Sequence, residues 1–267
     1  MRRLTGTLLL ALLVSAIWAQ EAQQPTVEMR DGGTSVQQIK KGVVAEVLES
    51  IYIPALTGAP FTATVHTEWM RFTPDGGSFT LVNQRPIARD HDGRIYEERW
   101  TLVPKEGNYK SQKTTIQIGD PTAHTLYNCF MFNKPRNCFL GSFNETTTAV
   151  YKPAIAKSGP IPNTDAFTTH EDLGVDSIDG IEVVGTRDTI HYNKGAIGND
   201  RPISVKREFW YAPSLGINLR SEVNDPSFGK QIFTVTDINL SEPDPKLYEL
   251  PAGFPVIDHR KPPDAAE

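Results

Sequence analysis

Beyond its first nineteen residues this chain lacks long apolar runs, basic blocks and cysteine clusters, and it carries none of the short motifs of common catalysts. The longest apolar stretch, Leu8–Val14, is too short to span a bilayer and has no stop-transfer flank. Lys and Arg number 27 against 32 Asp and Glu, for a net charge of −5, with no run of one sign. That balance argues against nucleic acid or an anionic membrane as a partner. No Gly-x-Ser-x-Gly elbow, His-Glu-x-x-His helix or phosphate-cradling Gly loop occurs. The six histidines show no i, i+4 pair. The two cysteines have no neighbouring His and fill only half of a tetrahedral zinc shell. No metal, no cofactor and no catalytic residue set is therefore expected.

What is present begins with an export signal. Arg2 and Arg3 form a basic start, residues 8–14 an apolar core, and Ser15-Ala16-Ile17-Trp18-Ala19 a small-residue cleavage site before Gln20. No cysteine follows the core, so lipidation there is not indicated. The expected location is periplasmic or secreted, with no membrane span after cleavage. The remainder divides into a flexible segment over 20–34, a single β-rich domain over 35–256 and a polar tail over 257–267. Twenty Gly and twenty Pro in 267 residues punctuate the chain and favour many short strands.

Apolar periodicity supports this division. Val36, Ile39, Val43 and Val47 recur at steps of three and four, predicting a helix over 35–49. From Phe61 the period becomes two: Phe61, Ala63, Val65 and Trp69 share one face, and Thr62, Thr64, His66 and Glu68 the other. Strands follow at 78–83, 94–102, around Ile116 and Ile118, at 126–132, 138–143, 181–190, 205–211, 217–223 and 231–238, separated by short turns. Residues 144–172 lose the pattern and read as a long connection. Nine or ten strands in an antiparallel meander are too wide to stay flat. The expected fold is mainly β: a large curved antiparallel sheet, half-barrel or open barrel, with one or two covering helices.

Cys129 and Cys138 flank the turn-rich Asn133-Lys134-Pro135-Arg136-Asn137. In an oxidising compartment they are expected to pair and staple a hairpin. Asp90-His91-Asp92 invites an acid–base or metal reading, but Asp-x-Asp-Gly between two strands is turn chemistry, with Gly93 taking positive φ. His170-Glu171-Asp172 reads as an exposed polar loop. Glu97 and Glu98 alternate across a strand and point to opposite faces. Asn144-Glu145-Thr146 and Asn239-Leu240-Ser241 match the glycosylation sequon.

The aromatic residues are the better functional hint. Trp69, Trp100, Phe130, Phe132, Trp210 and Phe233 fall on or beside expected strands. Core packing accounts for most, and the surplus on a wide curved sheet is expected to line a cleft for a lipid or other apolar ligand. The alternatives are a structural or protein-interaction module of the cell envelope, with a filled core and an exposed edge strand, and an enzyme whose Asp90, His91 and Glu97 converge from separate places.

Several motifs carry a resemblance. Ala59-Pro60-Phe61-Thr62-Ala63, Asp75-Gly76-Gly77, Ala88-Arg89-Asp90-His91-Asp92-Gly93-Arg94 and Ile118-Gly119-Asp120-Pro121 are similar to those of a family of exported acidobacterial proteins. So are Gly180–Arg187, Gly195–Asn199, Trp210–Pro213, Asp225–Gly229 and Glu242–Pro245. That family brings no activity and no catalytic residues. More loosely, Gly180–Thr186 and Trp210–Gly216 resemble the LolA-like periplasmic lipoprotein-carrier half-barrels. The resemblance implies a curved antiparallel sheet whose apolar concave face, covered by helices, holds acyl chains. This chain shows one candidate helix where those carriers have several.

Overall fold

The computed structural model describes residues 51–144 and 157–260, together with the strands β1 (Val27–Arg30) and β2 (Thr34–Gln37). These two form an antiparallel hairpin apart from the main sheet. The first residues of the expected 35–49 helix are thus extended, and the rest of it lies outside the described residues, as does the expected export signal. Among the described residues the single helical element is the 3-10 turn Pro245–Tyr248. Helices expected to cover the sheet are not found there, and extended straps do that work.

The main sheet has fourteen strands, antiparallel throughout except at one edge. Its first half comprises β3 (Phe61–Phe72), β4 (Ser78–Arg89), β5 (Ile95–Trp100), β6 (Val103–Pro104), β7 (Lys113–Asp120), β8 (Thr125–Phe130) and β9 (Asn137–Ser142). The second comprises β10 (Gly159–Pro160), β11 (Ala166–Ile178), β12 (Ile181–Tyr192), β13 (Ile203–Ala212), β14 (Ile217–Asp225) and β15 (Gly229–Asn239). Each half is a meander, and β15 pairs with β3 to join them at the centre. Finally β16 (Val256–Asp258) adds in parallel to β9 at the edge. The pairing path runs from β10 to β16 without closing, so the sheet is open. Four register shifts, at Arg99/Trp100, Asp172/Gly174, Trp210/Tyr211 and Thr236/Asn239, supply the local bends such a wide sheet needs.

Residues 166–172 belong to β11 and not to a connection. The strand escapes a periodicity reading because most of its residues are exposed or half-buried on both faces. The short β6, β10 and β16 bury no residue fully and leave no alternation to read.

Two cores lie on opposite faces. Phe61, Ala63 and Val65 of β3 begin the larger, with Ile87, Ile95, Phe233, Val235, Ile217 and Leu219, and the strap residues Ile51, Ile53 and Ala55 cover it. The neighbours of Ile87 and Ile95 in sequence, Ala88 and Tyr96, turn to the other face and begin the second core with Ile116, Ile118, Cys129 and Cys138. Leu247, Tyr248, Leu250 and Phe254 of the C-terminal strap pack against it. The disulfide Cys129–Cys138 staples directly paired positions of β8 and β9, as the spacing predicts.

Candidate functional site

A cleft of about 720 Å³ opens on the face of β3 that carries Thr64, His66 and Glu68. By register these residues stand beside Pro86, Gln84 and Val82 of β4 and beside Thr236, Thr234 and Ile232 of β15. The cleft exists because one ladder splits. Strand β4 pairs with β5 only through Ile87–Arg89, and with β6 only through Leu81–Val82. No ladder pairing is formed on that side between these two short stretches. The chain after Trp100 leaves the β5 line, runs through β6 and returns at β7, raising a wall that carries Val103, Lys105, Tyr109 and Ser111.

Polar contacts hold the wall in place. Lys105 donates from its backbone to Thr80 and from Nζ to Glu68 Oε2 at 3.0 Å, tying wall to floor. Both partners of that ion pair are substantially exposed, so it contributes less than about 1 kcal/mol and can open. Asn83 Nδ2 reaches across the split ladder to the Trp100 carbonyl at 2.8 Å, and its Oδ1 is buried with no partner among the described residues. Arg85, buried beneath, meets Glu97 at 3.4 Å. Burial lowers the Arg85 pKa to about 10, opposed by Glu97, so the guanidinium stays charged at neutral pH. On the floor, His66 Nε2 pairs with Thr236 Oγ1 at 2.8 Å.

Trp100 is fixed by its indole N–H, which donates to Glu98 Oε2 at 2.6 Å. Buried Glu98 also accepts from the Tyr96 hydroxyl and from Lys113 Nζ, which stands 5.8 Å from the Trp100 ring. Burial, then the hydrogen bond to Glu98, push the Tyr96 hydroxyl well above its ordinary pKa. Three donors on one carboxylate hold the aromatic wall rigid. The walls are thus apolar at Val82, Pro86, Trp100, Val103 and Ile232, and the floor is polar at Thr64, His66, Gln84 and Thr234.

The six aromatic residues singled out from the sequence do not gather in one place. Trp100 alone lines the cleft. Trp69 and Phe233 are buried on the other face of the central strands, Trp69 bonding the Phe228 carbonyl at 3.0 Å and Phe233 joining the larger core. Phe130 meets Phe139 edge-on at 5.6 Å, and Phe132 is exposed at the tip of the stapled hairpin. Trp210 is half-buried, its indole donating to Glu208 Oε1 at 2.9 Å. The cleft-lining Val82, Gln84, Pro86, Val103, Lys105, Tyr109, Ile232 and Thr234 are not distinguishable in sequence from any half-exposed strand. Their one signal is the alternation that places His66 and Glu68 together.

Asp90, His91 and Glu97 do not converge. Asp90 is buried and accepts from the backbone and side chain of Arg94, Gly93 takes φ +84°, and His91 is exposed with its backbone N–H on Glu242. Glu97 faces Arg85 while Glu98 faces Trp100, on opposite sides of β5. The Asp90–Gly93 segment is therefore a turn, as its composition indicates. No cluster of three or more His, Cys, Asp or Glu able to hold a metal occurs among the described residues. No helix among them is long and apolar enough to cross a membrane.

No family model matches the chain, and no curated protein matches it. Solved structures that match this chain include MucB, at 13% identity and a TM-score of 0.35, over 74% of this chain and 59% of that one. The Pseudomonas aeruginosa MucA/MucB complex gives the same score and identity over 73% of this chain and 56% of that one. LprF from Mycobacterium bovis aligns at 14% identity and a TM-score of 0.28, over 70% and 90% of the two chains. A LolA superfamily protein from Nitrosomonas europaea aligns at 10% identity and a TM-score of 0.26, over 73% and 93%. The chain spans less than two thirds of the length of the MucB structures it matches.

Proposed function

We propose that this is an exported protein of the bacterial envelope, LolA-like in plan and affiliated with the exported acidobacterial proteins its motifs resemble. In this reading its cleft binds one lipid or other amphiphilic small molecule. The observation that carries the reading is the cleft itself: about 720 Å³, within the range of small-ligand sites, with apolar walls above a polar floor. An apolar body would lie against Val82, Pro86, Trp100, Val103 and Ile232. A hydroxyl, amide or head group would meet Thr64, His66, Gln84 and Thr234. The exposed Lys105–Glu68 pair serves as the latch at the mouth. Of the six aromatic residues, Trp100 is the one assigned to the ligand. Native mass spectrometry of protein purified from an envelope fraction, followed by delipidation and rebinding, tests the reading. An adduct of lipid mass that returns on rebinding supports it; protein that stays bare throughout contradicts it.

A protein-interaction role is favoured by a different observation. Among the described residues, β10 pairs with β11 at Phe167 and Thr168, with Ile161 N–H donating to the Ala166 carbonyl and Ser158 Oγ accepting from the His170 N–H on either side. Past His170 no strand among the described residues pairs with the outer edge of β11, which leaves its backbone groups open to a partner strand. Crosslinking from position 175 in whole envelopes distinguishes this role, because a partner on that edge would be captured without any lipid adduct on the protein.

A further inference from the structure

A directed chain of hydrogen bonds runs into the cleft floor from the bulge in β15. The register shift between Thr236 and Asn239 sets Asp237 at φ +54°, a left-handed conformation that Asp adopts more readily than most residues. From there Asp237 Oδ2 accepts from the Thr236 hydroxyl at 3.1 Å. A carboxylate has no proton to return, so the single hydroxyl proton of Thr236 is committed to Asp237. Thr236 Oγ1 therefore accepts from His66 Nε2 at 2.8 Å, and the imidazole carries its proton on Nε2. Nδ1 of the neutral ring is left as a lone-pair acceptor with no partner among the described residues, on a side chain that lines the cleft.

The other polar groups of the cleft indicate what such an acceptor meets. Lys105 is paired with Glu68 at 3.0 Å and Arg85 with Glu97 at 3.4 Å, so each charged side chain lining the cleft has its counter-charge beside it. An anionic head could reach Lys105 only by displacing Glu68, and the freed carboxylate would stay next to it. A cationic head on Glu68 would strand Lys105 in the same way. What remains is uncharged. The side chains of Thr64, Gln84 and Thr234 make no hydrogen bond among the described residues, and each can both donate and accept. Gln84 and Thr234 stand directly opposite His66 on the two neighbouring strands, about 5 Å to either side. A hydroxyl suits this set, because one oxygen gives its proton to His66 Nδ1 and takes one from Gln84 or Thr234. Adjacent hydroxyls suit it better than one, since acceptor and donors lie in a row.

We infer that the cleft selects an uncharged head group with adjacent hydroxyls, as a glycerol or a sugar ring carries, and that Thr236 and Asp237 hold His66 in the tautomer that reads it. This rests on the cleft being a site for an amphiphile. Competition against an amphiphilic fluorophore, below micelle-forming concentrations, tests it with probes that share one chain length. They are a monoacylglycerol, an alkyl glucoside, the fatty-acid carboxylate, an alkyltrimethylammonium and the fatty-acid methyl ester. At least one hydroxylated probe is expected to bind about tenfold or more tightly than the ester and both ionic probes, and the better of the two names the source of the head group. In proton–nitrogen NMR spectra His66 should be the Nε2–H tautomer, with Nδ1 shifting on addition of the hydroxylated probe and not of the ester. Thr236→Val removes the oxygen that accepts from Nε2, and should reduce the preference over the ester to within about threefold while the ester still binds. The inference falls, with the amphiphile reading intact, if an ionic probe binds best or the ester binds as tightly as the hydroxylated probes. It falls likewise if His66 is the Nδ1–H tautomer, or if Thr236→Val keeps the full preference. If no probe binds saturably, the inference and the reading fall together.

Discussion

Arg89 shows how one side chain can hold three segments. It is fully buried, and its guanidinium donates to the carbonyl oxygens of Pro54, Ala59 and Leu215 at 2.7–3.0 Å, with the Phe61 ring 5.1 Å away. Burial lowers its pKa to about 10, still charged at neutral pH. Replacing it with Met would leave the Ala59 and Leu215 carbonyls without their Arg89 donors, the Pro54 carbonyl keeping the Leu56 N–H, so urea denaturation of Arg89→Met should show a loss of about 3–5 kcal/mol. His170 offers a pH test. It lies between Asp188, at 2.6 Å from Nδ1, and Asp172, at 3.3 Å from Nε2, and the hydrogen bond to Asp188 raises its pKa. A raised histidine pKa stabilises the folded state below the unfolded value of about 6.5, and that contribution fades as pH rises through the folded value. NMR titration should place His170 above about 6.5, and Asp188→Asn should bring it down; amide exchange in β11 should quicken as pH passes the folded value by more than base catalysis alone explains. The turn at Asp90–Gly93 was legible from composition. Arg89 was not, because its partners are carbonyls at positions up to 126 residues away.

Strands with one buried and one open face announce themselves, and β3, with its unbroken alternation from Phe61 to Met70, is the clearest. Its mates in the meanders follow from the turns between them. What cannot be read locally is the pairing of β15 with β3, which joins two meanders through strands about 170 residues apart, or the exposed edge strand β11. The straps show their form but not their role: Ile51-Tyr52-Ile53-Pro54 reads as extended, 247–254 has little periodicity, and neither tells which core it covers. The stapled hairpin gives the element-scale prediction. Closing a loop of about ten residues contributes roughly 2–3 kcal/mol in the chain-entropy view. A Cys129→Ser, Cys138→Ser double variant should therefore lose about that much in denaturant melts. Most of the loss should be felt in the second core and the C-terminal strap, because the disulfide lies beneath that strap and β16 pairs with Cys138.

At the level of the whole molecule, a sheet this wide has surface on both sides to dispose of, and it does so unequally. One face is closed by the N-terminal strap over the larger core. The other is closed by the C-terminal strap over the disulfide, then opens where β4 parts from β5 and the 101–112 wall stands up. Sequence alternation marks that open face as polar, and so it conceals a cleft whose apolar walls come from Val82, Pro86 and Ile232 together with a wall folded over from the next strand. The cleft's position depends on where a ladder splits, which no local pattern encodes. The most direct measurement is a titration of an environment-sensitive amphiphilic fluorophore into delipidated wild-type protein and into Ile232→Trp, whose larger side chain fills the cleft from its apolar wall. The account predicts saturable binding at one site in the wild type, and affinity lower by at least about tenfold in the filled variant, with melting behaviour retained. Absence of saturable binding in the wild type, or equal binding by the filled variant, would contradict it.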